Sequence, residues 1–316
     1  MPRWYLKAVA QGVISAMPWS HTLNSLAQQH ITHSVRLTPV FFGRRLSRVK
    51  QHVQAYRQFS TNPRSSFTAL ELGTGWYPVV PVGLYLCGAA EVVTVDVRSL
   101  LTADRVKEVM AGLVRSYDAG ELQERLPDVD ATRVDVLRQT LDAPGDDPSG
   151  LLARIMVRSL VADARALPLP ATSLDLIMSN NTLEHIPEPV VEDMFIEFHR
   201  AITSSGVMSH AIDLSDHYSQ FDRSLSPYNF LRYSDSAWRW FNNELLYQNR
   251  LRMSDYGALA RRTGWTVAAK TGSAGRPERL QEIQVSERFR GYTQEDLAVT
   301  IGWMALRPSA NGAISK

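Results

Sequence analysis

The sequence predicts an α/β fold, a mostly parallel sheet with helices on both faces, preceded by a helical arm and carrying a cap inserted late in the chain. Three observations carry this. From residue 67 onward, short apolar runs of strand length alternate with stretches of helical periodicity, the rhythm of a parallel sheet with crossover helices. Two of the early runs end in a carboxylate, Glu71 ahead of Gly73-Thr-Gly75 and Asp96 about 20 residues later. The composition is that of a globular protein: 316 residues, 44% hydrophobic and 21% charged, which excludes disordered, collagen-like and low-complexity classes. The longest uncharged stretch near the N-terminus, 8–35, is laced with Gln, Ser, His and Asn, so a transmembrane span is not expected. A lone cysteine, Cys87, excludes an internal disulfide and a cysteine-based zinc site, and fits a reducing, cytoplasmic location.

The elements follow in order. Residues 4–60 read as two or three helices broken at Pro18 and Pro39, with Leu46, Val49, Val53 and Tyr56 at helical spacing. The polar stretch 60–66 reads as a linker, placing an arm at 1–66 and a catalytic domain at 67–316. Strands are expected at 67–72, 92–97, 157–162, 174–179 and 207–214, with two more at 266–269 and 298–306. Helices are expected at 79–87, closed by Gly88, and across 99–155. A further helix is expected at 190–202, where Val191, Met194, Phe195, Phe198 and Ile202 share a face and Gly206 ends the run. Ser254 is expected to cap a helix through Thr263, with Gly264 beyond its end.

Charge is unevenly placed. Lys and Arg total 34 against 32 Asp and Glu. Nine of the basic residues and none of the acids fall in residues 1–66, so the remainder carries 25 basic against 32 acidic residues. A basic arm on an acidic body is either a solvated helical surface docked on that body or a device for an anionic substrate or membrane surface.

The chemistry concentrates at Glu71-Leu-Gly73-Thr-Gly75. Glycines at a strand-to-helix turn let the backbone approach a ligand closely, and a strand-end Asp96 can hold two ribose hydroxyls. A dinucleotide site would want a third glycine for the pyrophosphate. Here Trp76, Tyr77 and Pro78 follow, and Glu71 suits a cationic ligand end better than a phosphate.

At these residues the chain resembles the class I S-adenosylmethionine (SAM)-dependent methyltransferases, closest to the branch that contains the ubiquinone and menaquinone biosynthesis enzymes. Residues 69–75 resemble the family's first motif and Val95-Asp96 its acidic ribose position. Residues 161–170, with Asp163 and Ala164, resemble the segment that meets the adenine. Residues 173–186, with Asn180, Glu184 and His185, resemble the motif around strand four. The resemblance covers roughly 67–214 and more loosely 253–306. It implies a Rossmann-like seven-stranded sheet in the order 3-2-1-4-5-7-6 with an antiparallel last strand, and SAM as cofactor held by Glu71, Gly73, Gly75, Asp96, Val97, Asp163, Ala164 and Asn180. Tyr77 stands where the family often has a third glycine.

The acceptor side must lie at the carboxyl ends of strands four and five. His217 is the first candidate base for a hydroxyl acceptor, with His185 and Tyr218 beside it. Asp213 and Asp216 are weak metal candidates; no metal is assigned, although Mg²⁺ is compatible with a diphosphate acceptor. Residues 215–252 form the expected cap. Nine of 28 aromatics and five arginines crowd into 218–252, pointing to a pocket that is apolar on one side and anion-binding on the other, with Arg223, Tyr228, Arg232 and Trp238 as substrate candidates. The reading is therefore O-methylation of a small, anionic or neutral acceptor: a secondary metabolite, a sugar or a lipid intermediate. C-methylation of a prenyl diphosphate is the alternative within the class. A fold that has lost transfer and docks on a membrane or partner is the alternative outside it, and a nicotinamide-dependent dehydrogenase is a third. Nucleic acid is not expected as a partner, because the body is acidic. Homodimerisation and membrane association through the arm are left open.

Overall fold

A computed structural model describes residues 36–309, apart from 127, 146, 244 and 245. The first part of the expected arm, with Arg3 and Lys7, lies outside the described residues. The described part begins with helix α1, Pro39–Phe59. Thr38 caps it by accepting from the Phe41 N–H, and Pro39 sits in the first turn, where its missing N–H costs nothing. The expected stripe is buried, and His52 lies within it, fully enclosed.

Strand β1 (Phe67–Leu72), helix α2 (Val79–Leu86) and strand β2 (Ala89–Asp96) follow. Four helices, α3 (Ala103–Asp118), α4 (Glu121–Arg125), α5 (Ala131–Asp142) and α6 (Pro148–Ala153), fill the long connection to β3 (Val157–Val161). Then come β4 (Leu174–Asn180), α7 (Glu188–Ala201) and β5 (Ile202–Asp213). The cap contains α8 (His217–Phe221) and α9 (Asp235–Trp238). It returns through α10 (Met253–Arg262), β6 (Trp265–Ala274), α11 (Pro277–Gln281), α12 (Gln294–Ala298) and β7 (Val299–Pro308). The seven strands pair in the order 3-2-1-4-5-7-6. Strands 1 to 5 are parallel, and β7 runs antiparallel to both β5 and β6.

Two apolar layers sandwich the sheet. One joins α1, α2, α3, α5 and α6 to it; the other joins α7 and α10. The apolar residues of α1 belong to the first layer, and α1 lies over β4, β5 and β7. A third apolar cluster closes the cap upon itself.

Two local expectations are corrected. The helix before β5 stops at Ala201, and Gly206 lies inside the strand. The β4–β5 register shifts between Leu174 and Leu176, and a side chain at Gly206 would meet Ile202 at 2.5 Å and the Asp175 carbonyl at 3.0 Å, so this glycine permits a close approach within a bulge. Ser254 is not the N-cap of α10. Arg252 is, and the Ser254 hydroxyl bonds Asp296 instead.

Candidate active site

The carboxyl ends of β1, β2, β4 and β5 converge on one side of the sheet. Gly73 and Gly75 leave β1 with φ of +77° and +71°, the left-handed region that favours glycine. A Cβ at Gly73 would also lie 2.5 Å from the Thr182 hydroxyl, so this position is closed to a side chain, whereas at Gly75 only the backbone angle demands glycine. The Gly75 N–H donates to Asp96 Oδ2 at 3.0 Å, which ties the loop to the end of β2. Burial pushes the Asp96 carboxyl up against the pull of the Gly75 and Val97 N–H groups.

Glu71 sits at the centre, 2% exposed. Its Oε1 accepts from Asn180 Nδ2 at 3.3 Å, while Oε2 has no hydrogen bond of ordinary geometry among the described residues. Burial pushes this carboxyl up to about 7, against the opposing pull of Arg45 and Asn180. A buried carboxylate oxygen without a hydrogen bond of ordinary geometry, beside a glycine turn, has the chemistry to receive an ammonium group. Glu71, the glycines, Asp96 and Asn180 thus stand together at the carboxyl ends of β1, β2 and β4. The second ligand wall is looser. Ala164 is buried, Val97 is 72% exposed, and Asp163 is bridged to Arg165 at 2.5 Å, which holds its carboxyl down at about 2.

Asn181, just past β4, adopts φ of +53°, a conformation that asparagine tolerates better than most residues and that clusters at functional sites. Beyond it, Glu184 is buried with Oε2 unpartnered among the described residues; its Oε1 accepts from the Asp213 N–H, and burial raises its carboxyl well above the ordinary range. His185 and His217 face each other with ring centroids 4.9 Å apart. His185 Nδ1 lies 2.8 Å from the Tyr247 carbonyl, which fixes that nitrogen as the donor and leaves Nε2 free to accept. Asp213 Oδ2 lies 3.5 Å from His217 Nε2. Burial pushes the Asp213 carboxyl up, but His217 and Ser215 outweigh it and leave it below the usual range. One ligand atom from each of Glu184, His185 and His217 falls within 4.8 Å of the others, a group with the donor types of a divalent-metal site.

Helix α1 forms the opposite wall. A cleft of about 830 Å³ runs between it and the ends of β4 and β5, lined by Arg44, Arg45, Arg48 and Lys50 on one side and Asn180, Asn181 and Asp213 on the other. Burial lowers both Arg45 and Arg48 from the usual arginine value. The charge of Arg45 acts on both Glu71 and Glu184. Sequence reasoning placed these cations in a basic arm but not at the cleft, and it missed His52 altogether. The signal for His52 was a polar residue inside an apolar helical stripe.

The cap residues are where the structure departs most from expectation. Tyr228 and Trp238 are sealed in the cap's own apolar cluster with Phe230, Leu231 and Phe289, and the Tyr228 hydroxyl donates to the Ala298 carbonyl. Arg232 is exposed. Arg223 lines an adjoining cleft of about 400 Å³ beside Arg276 and Arg279, which shares Asp213 and Ile301 with the cleft along α1. Tyr218 donates to the Phe241 carbonyl at 2.7 Å, and burial raises its hydroxyl far above the usual tyrosine range, so it is not poised to exchange a proton. Asp216 is the N-cap of α8, with its oxygens taken by the Tyr218 N–H and Asn229 Nδ2, and it is thereby corrected as a metal candidate. Two cap arginines are buried clamps. Arg250 donates to the Phe230 and Tyr233 carbonyls, and Arg252 to those of Leu214, Leu297 and Val299.

The strand order, with its antiparallel last strand and glycine turn after β1, is that of a class I methyltransferase fold. Residues 110–225 match the family model described as a methyltransferase domain. A curated relative, the malonyl-[acyl-carrier protein] O-methyltransferase of Laribacter hongkongensis, is 33% identical over 106 residues, which is 32% of this chain. The chain spans about a third (35%) of that relative's length. Among solved structures, the PH0226 protein of Pyrococcus horikoshii aligns with a TM-score of 0.45 and 13% identity, over 83% of this chain and 90% of its own. The geranyl diphosphate C-methyltransferase of Streptomyces coelicolor aligns with a TM-score of 0.42 and 10% identity, over 82% and 79%. No helix of the described residues is long and apolar enough to cross a membrane.

Proposed function

We propose that the chain transfers the methyl group of SAM to an oxygen of a small anionic acceptor bound between α1 and the ends of β4 and β5. The cleft itself carries this reading: four cations of α1 face it, directly across from the strand ends where the cofactor's methyl group must emerge. SAM fits the residues present. Glu71 Oε2 has no hydrogen bond of ordinary geometry among the described residues, the Thr74 hydroxyl being its nearby partner, and so can receive the ammonium of SAM; the Gly73–Gly75 turn gives backbone access; Asp96 stands ready for the ribose. The relative named for O-methylation supports oxygen as the acceptor atom.

SAM supplies an electrophilic methyl on a sulfonium. The acceptor oxygen forms the new C–O bond as the C–S bond breaks, and the sulfur leaves as a neutral thioether. His217 takes the hydroxyl proton on the ring nitrogen away from Asp213, whose Oδ2 lies 3.5 Å from Nε2 and stabilises the resulting imidazolium. A second reading rests on the grouping of Glu184, His185 and His217, whose three ligand atoms would hold a divalent cation that lowers the pKa of the acceptor hydroxyl.

The test is methyl transfer from SAM to hydroxyl-bearing phosphates, carboxylates and uncharged analogues, read by mass spectrometry, with and without EDTA. A gain of one methylene on an anionic acceptor's oxygen, unaffected by chelation, supports the first reading. Loss of activity in EDTA with recovery on Mg²⁺ or Mn²⁺ supports the second. Methylation only at a carbon of a prenyl diphosphate, or no binding of SAM at millimolar concentration, overturns both.

A further inference from the structure

A chain of buried hydrogen bonds links four elements of the fold to Glu71. Trp303 Nε1 on β7 lies 3.0 Å from Ser209 Oγ on β5, and Ser209 Oγ lies 2.8 Å from His52 Nδ1 on α1. His52 Nε2 lies 3.0 Å from Asn180 Oδ1 on β4, and Asn180 Nδ2 lies 3.3 Å from Glu71 Oε1 on β1. His52 and Ser209 are fully enclosed, and Asn180 is 3% exposed.

An ionised Glu71 sets the direction of every link. A carboxylate only accepts, so the Asn180 NH₂ faces Glu71 and Asn180 Oδ1 faces His52. His52 Nε2 therefore carries the proton and donates to Oδ1, and Nδ1 accepts from the Ser209 hydroxyl, whose lone pairs receive the Trp303 indole N–H. The sense of the chain requires an uncharged imidazole. Burial, with Arg48 and Arg45 nearby, pushes His52 down to about 4.

We propose that His52 is a positioning residue for the amino-acid end of the cofactor: by locking the Asn180 amide it holds the Glu71 carboxylate with Oε2 free for the ammonium. This rests on the reading that Glu71 and Asn180 hold SAM. Without the Nε2–H donor, the amide is free to turn its oxygen toward Glu71, which sets two acceptors against each other in a dry site. The residue reaches the cofactor only through Asn180 and Glu71, so its influence is confined to the amino-acid end and does not extend to the adenosine.

The experiment compares two ligands on the full-length protein by calorimetry. S-Adenosylhomocysteine carries the amino-acid end; 5′-methylthioadenosine shares the adenosine and sulfur but lacks it. His52→Leu is expected to weaken S-adenosylhomocysteine by about tenfold or more and to leave methylthioadenosine unchanged. His52→Gln, whose amide can donate to Asn180 Oδ1, is expected to restore most of the affinity. Should His52→Leu not fold, Ser209→Ala serves. It removes the donor to Nδ1 and is expected to weaken S-adenosylhomocysteine selectively. In the wild type, the imidazole ¹⁵N spectrum is expected to show a neutral ring protonated at Nε2 at pH 8, where Glu71 is ionised. Equal weakening of both ligands, unchanged S-adenosylhomocysteine affinity in the variants, or a ring protonated at Nδ1 would overturn the proposal. Failure of the wild type to bind S-adenosylhomocysteine overturns the cofactor reading itself, and is distinguishable because no variant is then needed.

Discussion

Glu71 gives a pH test of the cofactor site. The perturbation is a change from pH 8 to pH 6, which spans the value near 7 to which burial pushes its carboxyl. Only the carboxylate attracts an ammonium, so the dissociation constant of S-adenosylhomocysteine is multiplied by one plus the ratio of protonated to ionised Glu71. That factor is about 11 at pH 6, about 2 at pH 7 and about 1.1 at pH 8, a weakening of roughly tenfold, or about 1.4 kcal/mol, on acidification. His52, at about 4, stays neutral through this window, and Asp163, at about 2, stays ionised. Asp96 and Glu184 are also raised by burial and face the same region. The variant that isolates the cause is therefore Glu71→Gln, which keeps the Asn180 hydrogen bond and removes the titration. Calorimetry at the three pH values is expected to show the slope in the wild type, and weaker, pH-independent binding in Glu71→Gln. A flat wild-type profile, or a slope that survives in Glu71→Gln, refutes the reasoning.

Four further outcomes are expected. Because the folded value of Glu71 lies above its ordinary value of 4.5, ionisation costs ligand-free stability as pH rises from about 4.5 to 7. Glu71→Gln should then melt higher than wild type at pH 8, by up to about 3 kcal/mol, with the gain fading below pH 5; a lower melting point at pH 8 counts against the burial account. Asp96→Ala should weaken S-adenosylhomocysteine by about 1–3 kcal/mol, and unchanged affinity would remove Asp96 from the cofactor site. His217→Ala should lower kcat by about a hundredfold or more with cofactor affinity intact, whereas near-normal kcat would place the base elsewhere. Replacing Arg44 and Arg48 together by Ala should raise KM for an anionic acceptor severalfold and leave an uncharged analogue unaffected; equal effects on both would make α1 a structural wall only.

The sheet and its glycine turn were legible in the sequence because they are local signals. Leu70, Leu72, Val93 and Val95 belong to uninterrupted apolar runs, and the carboxylates close those runs within a few residues. The strand order came with the resemblance, and the structure has it. What was not legible depends on distant partners. Tyr228 and Trp238 look like pocket walls by composition, yet they meet Phe289 and Leu280, about 50 residues further along, and turn inward. Arg250 and Arg252 look like anion binders until the carbonyls that consume their donors are known. His52 has the opposite history: it sits in an apolar stripe that predicts only packing, and its chemical partners are 128 and 157 residues away.

That separation has a consequence for how the chain is made. Helix α1 leaves the ribosome before the strands it rests on, with an apolar stripe that includes Leu46, Val49 and Tyr56 and a cationic flank, and Ser209 follows 157 residues later. At about 5–20 residues per second, the helix waits roughly 8–30 s for its partner strand. For that interval its stripe can meet only the early elements such as α2, and its seat on β4, β5 and β7 is not yet made. Nascent chains stalled before β5 should therefore be the ones that chaperones retain and proteases find, and release should come only with the synthesis of β7, which carries Trp303.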